Sequence, residues 1–147
     1  MKSIYLLVTL LLATAIYGHD EGHGPAIKDE SLKGGKVTGI IKEGDITKGR
    51  KANLLFKAEL VYESRKSEVK IFLYDSNMKK LEVNPFSKII EAVLLERNKK
   101  ESFSLKWNQA KGHYEGKRPI NKRVPFSIDI RFSKENQKLF GAFDGLD

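Results

Sequence analysis

Residues 52–64, ANLLFKAELVYES, set Ala52, Leu54, Phe56, Ala58, Leu60 and Tyr62 on one side of an extended chain. Asn53, Lys57, Glu59 and Glu63 fall on the other side. Side chains of a strand alternate with period two, so this stretch predicts a half-buried β-strand and excludes an amphipathic helix. Working outward, Arg65-Lys66-Ser67 reads as a turn, and a second strand follows. There Val69, Ile71 and Leu73 alternate with Glu68, Lys70, Phe72 and Tyr74. Asp75-Ser76-Asn77 closes it with turn chemistry, because short polar side chains bond nearby backbone and tolerate left-handed dihedrals.

The same period continues to the C-terminus. Residues 89–97 crowd Ile, Val and Leu around Glu91; they read as a strand, with a short helix as the alternative. Phe103, Leu105 and Trp107 alternate with serines and Lys106, and a turn over 108–112 leads to a short strand at Tyr114. Val124, Phe126, Ile128, Ile130 and Phe132 form another alternating set, and a last strand is expected over 139–143. Pro125 lacks an N–H for the ladder, which puts it at a strand start or a sheet edge. Seven to nine short strands and no amphipathic helix predict an all-β domain over 37–147. The expected architecture is an antiparallel, immunoglobulin-like β-sandwich, with a small barrel as the alternative.

Upstream of the domain, residues 1–18, MKSIYLLVTLLLATAIYG, combine Lys2, an uncharged apolar run from Ile4 to Ala15, and small residues at Ala13, Ala15 and Gly18. The run is shorter than a membrane span, and its layout predicts a signal peptide cleaved after Ala15 or after Gly18. The chain is then expected to be periplasmic or secreted, with no transmembrane anchor in its mature form. Residues 19–36, HDEGHGPAIKDESLKGGK, are glycine-rich and poor in large apolar side chains, and predict a flexible arm.

The chain has 147 residues, no cysteine and a formal net charge of +8. Without thiols there is no disulfide staple, thiolate metal site or cysteine nucleophile. Also absent are a G-x-S-x-G elbow, an H-E-x-x-H pair and a phosphate-binding glycine loop, so the expected function is non-enzymatic.

Two clusters remain as candidate sites. In the arm, His19, Asp20, Glu21 and His23 gather two imidazoles and two carboxylates within five residues. That donor set suits Cu or Zn, and the alternative reading is a plain spacer. In the domain, residues 97–123 hold nine basic side chains against Glu101 and Glu115. Arg97, Lys99, Lys100, Lys117, Arg118, Lys122 and Arg123 are the candidate anion-binding residues. Their expected partner is an anionic envelope surface: lipid headgroups, an acidic polymer or a protein; the alternative reading is a plain solubilising surface whose lysines guard strand edges. Nucleic acid is the least expected polyanion for an exported chain. His113 is expected on an edge strand, paired with Glu115.

The segment LFKAELVY (55–62), followed by VKIFLYD (69–75), MKKL (78–81) and the leader HDEGHG (19–24), resembles small exported β-sandwich proteins with histidine-containing leaders. A similar layout occurs in metal-handling modules of the periplasmic adaptor subunits of heavy-metal efflux systems. The likeness spans about residues 19–83, and the arm has fewer histidines than such leaders usually carry. It implies a periplasmic binding or accessory protein whose partner is an envelope protein or a metal-efflux component. A third expectation is that an exposed Phe72/Tyr74 face and a sheet edge pair with a partner.

Overall fold

The structure is a computed structural model that describes residues 24–27 and 31–147. Eight strands form in the order β1 (Lys36–Lys42), β2 (Phe56–Tyr62), β3 (Glu68–Tyr74), β4 (Ile89–Glu96), β5 (Lys99–Asn108), β6 (His113–Lys117), β7 (Phe126–Lys134) and β8 (Gln137–Leu146). Neighbours are antiparallel throughout, in the spatial order β1-β2-β3-β6-β5-β4-β7-β8. β1 also pairs with β8, Ile41 opposite Phe140, and the sheet closes into a barrel.

This corrects the immunoglobulin-like sandwich in favour of a barrel. Period-two alternation is common to both architectures. What separates them is whether the first and last strands meet, which no local pattern encodes. Closure also removes the sheet edge on which a partner strand was expected to add.

The alternation itself places the core. Ile40, Leu60, Ile71, Ile90, Leu94, Leu105, Tyr114, Ile128 and Phe143 are fully buried and fill the barrel. Lys70, Glu91 and Lys106 stand exposed outside. Apolar inside and charged outside is the reverse of a membrane-spanning barrel, whose lipid-facing band is apolar. Among the described residues, no helix is long and apolar enough to cross a membrane.

Two crossovers close the barrel's ends. At the far end, residues 75–88 run from β3 past β6 and β5 to β4, burying Val83 and Phe86. The Phe86 ring stands 5.3 Å from that of Phe56, edge to face. At the near end, residues 118–125 run from β6 past β5 and β4 to β7, and Arg118 is buried there. Pro125 sits immediately before β7, as its missing N–H requires.

One element carried no signal. Residues Glu43–Lys51 form a 3-10 helical stretch without a buried residue, so no apolar period marks it. It is held by polar contacts instead, Arg131 Nε donating to Glu43 at 3.0 Å and Lys48 meeting Asp45 at 2.8 Å.

The expected arm over 19–36 is tied down at its C-terminal end. Glu59, on what reads as the solvent face of β2, is fully buried. Its carboxylate accepts from the backbone N–H of Leu32 (3.0 Å), Lys33 (2.8 Å) and Gly35 (2.9 Å), and from the Tyr74 hydroxyl (3.2 Å). Burial and the neighbouring Glu59 both push the Tyr74 hydroxyl pKa up. Gly35 is required at this crossing, since a Cβ there would meet the Leu60 carbonyl oxygen.

Candidate functional site

The antiparallel order brings the ends of distant strands together. Glu68 opposite Lys117, Glu96 opposite Lys99 and Phe126 opposite Leu146 all lie at the near end. Arg97 lies in the β4–β5 turn, Lys99 and Lys100 open β5, Lys117 ends β6, and Lys122 and Arg123 lie in the near-end crossover. All six side chains are exposed. The structure therefore gathers them from two connections onto one end of the barrel. Arg65 and Lys66, in the β2–β3 turn, join the same end. Their charge was missed because Glu63 and Glu68 balance it in the local sequence.

The acids at this end are mostly engaged. Glu101 pairs with Lys99 and Glu63 with Lys66. Glu96 is buried, and both its oxygens accept from the Lys122 N–H at 3.0 Å. Arg97, Lys100, Lys117, Lys122 and Arg123 have no carboxylate partner among the described residues.

Arg118 departs from the expected role. It is 3% exposed and cannot meet an external anion. One terminal nitrogen donates to Pro119 O and Asn121 Oδ1 at 3.1 Å, the other to Glu63 O and Ser64 O at 3.2 Å. Its guanidinium lies 5.5 Å from the Tyr62 ring centroid and 5.3 Å from that of Phe126. Burial pulls its pKa below the ordinary arginine value, yet a guanidinium so basic keeps its charge. Arg118 thus ties the β2–β3 turn to the crossover that presents Lys122 and Arg123. Asn121 continues the frame, its amide donating to Arg123 O at 3.1 Å. The charge that looked like an anion-binding residue is the internal brace of this basic end.

His113 pairs with Glu115 as expected, Nε2 to Oε2 at 3.1 Å, but from a buried position on an internal strand. The edge reading is corrected by the pairing of β6 with both β3 and β5. Glu115 also accepts from Asn108 Nδ2 at 2.7 Å and from Lys111 Nζ at 3.1 Å. The Asn108 amide, then Lys111 and His113, hold its pKa down to about 2. A carboxylate depressed on folding stabilises the native state above its ordinary pKa and loses that contribution as pH falls toward 2. Wild type is therefore expected to be more stable than Glu115→Gln at pH 6, with the gap closing between about pH 4.5 and pH 2. Thermal melts of both proteins across that range check this; a constant gap would refute it.

The expected metal residues His19, Asp20, Glu21 and His23 lie outside the described residues. Among the described residues, no group of three or more His, Asp or Glu side chains is placed to hold a metal ion. No family model, curated protein or solved structure matches the chain.

Proposed function

We propose that the chain is an exported, non-enzymatic binding module that docks the near end of its barrel on an anionic envelope surface. The supporting observation is the convergence, on one exposed end, of five cations that have no carboxylate partner among the described residues. Lys and Arg side chains spread in this way make a diffuse positive field, suited to a layer of headgroups more than to one bidentate ligand. The non-enzymatic reading is supported by the carboxylates that would serve as acid or base. Glu59 accepts four hydrogen bonds from its own chain and Glu115 is held ionised by three donors.

Cosedimentation with vesicles of phosphatidylglycerol and phosphatidylcholine, across a salt series, tests the proposal. Each cation near an anionic bilayer adds on the order of 1 kcal/mol, so reversing three should weaken binding by about 100-fold or more. Arg97→Glu, Lys100→Glu, Arg123→Glu is the variant to use, since all three side chains are exposed and have no carboxylate partner among the described residues. Binding that persists in that variant, ignores salt, or is equal on phosphatidylcholine alone would overturn the reading.

A further inference from the structure

Away from the docking end, the outer face of β3 holds a depression of about 260 Å³. Its floor is Phe72 and Tyr74, its rim Leu32, Met78, Lys33, Lys80 and Lys111. Aromatic rings and three ammonium groups around so small a volume are not what a plain solvated sheet face presents.

Each wall is held in place. On one side the docked segment 32–35 is fixed to Glu59, and Lys33 Nζ lies 5.6 Å from the Phe72 ring centroid. On the second side Asp75 organises the turn, its Oδ1 accepting from Asn77 N at 2.8 Å and Lys79 N at 2.9 Å. This turn holds Met78 at φ +61°, a left-handed conformation that an unbranched non-glycine side chain adopts at a cost. Lys80 lies across Gly112, at φ +70°, where a Cβ would collide with its ammonium. On the third side Lys111 is held by Glu115, and His113 sets its ring 4.9 Å from Phe72 at 50°. Lys33 and Lys80 have no carboxylate partner among the described residues.

From this arrangement we infer a second binding site, for a small amphiphilic anion: a flat apolar body on Phe72 and Met78, with a carboxylate between Lys33 and Lys80. Aromatic floor and cationic rim select for both halves of such a molecule. Stacking on the ring supplies contact area, and an ammonium–carboxylate hydrogen bond fixes its direction. The volume is of the size of a single bicyclic ring. The site stands independently of the docking end.

Titration of the full chain with indole-3-acetate, followed by calorimetry and by amide chemical shifts, tests the inference. Saturable one-to-one binding is expected, with shifts centred on Phe72, Met78 and Lys80. Its neutral counterpart indole-3-ethanol and the bare anion acetate should each bind about tenfold or more weaker, the size of one charge-assisted hydrogen bond. Lys80→Gln and Phe72→Leu should each weaken indole-3-acetate by about fivefold, while Arg97→Glu, Lys100→Glu, Arg123→Glu should leave it unchanged. Lys80 is exposed, so its replacement leaves the fold intact and keeps the test readable should Phe72→Leu unfold. No saturation up to about 10 mM, equal binding of indole-3-ethanol, or unaltered affinity in Lys80→Gln would overturn it.

Discussion

Replacing Glu59 with Ala is expected to lower the unfolding free energy by about 3 kcal/mol, a large share of the 5–15 kcal/mol typical of a domain. The substitution strips a partner from three backbone N–H groups and a tyrosine hydroxyl at once. Each buried group left unmet costs about 1–3 kcal/mol, reduced here because segment 32–35 can turn its N–H groups to water. Glu59→Gln should lose nearly as much, since an amide has one acceptor oxygen and points an NH₂ at the remaining donors. Urea unfolding at constant slope measures the loss, and hydrogen exchange locates it. Protection at Leu32, Lys33 and Gly35 should fall before any strand amide does. A loss under about 1 kcal/mol would mean the segment contributes nothing to the fold.

Replacing Arg118 is expected to be the other severe change. Arg118→Met keeps the stem but removes four hydrogen bonds and two cation–aromatic contacts. A loss of about 2–4 kcal/mol follows, moderated by relief from burying a charge. The informative partner is Arg118→Lys, which keeps the charge and loses the planar fork. If geometry is what Arg118 supplies, the lysine variant should fall most of the way to the methionine variant. Vesicle binding by the folded fraction should drop modestly in both, through looser presentation of Lys122 and Arg123. Full stability in Arg118→Lys would show that the charge alone matters.

Strand identity was legible because it is written in nearest neighbours. Ala58 and Leu60, Ile71 and Leu73, Ile128 and Ile130 point inward as their alternation predicts. The sandwich was wrong because closure depends on Ile41 reaching Phe140, a pairing across nearly the whole domain. Glu59 was misread for a related reason. On its own strand it alternates as a solvent residue, and the segment that covers it lies 24 to 27 positions upstream. The basic end was half legible. Arg97, Lys100, Lys117, Lys122 and Arg123 follow from charge counting along 97–123, whereas Arg65 and Lys66 join them only through the topology. Arg118 shows the limit of counting: among clustered cations, composition cannot tell which one turns inward. Of the depression on β3, only the Phe72/Tyr74 floor stood out in the sequence, because its walls come from segments near 33, 78, 80 and 111.

The meeting of β1 with β8 also sets when the protein can finish folding. β8 spans Gln137–Leu146 and pairs with β7 on its other side, so no closed sheet exists until these residues are in place. Until then β1 and β7 each present an unpaired ladder, the kind of template on which nascent chains associate. Closure across about a hundred residues is a late, entropically expensive step. A chain lacking 137–147 should accordingly stay open and protease-sensitive. Residues 137–146 added as a separate strand are expected to close the sheet of that truncated chain and restore its protease resistance.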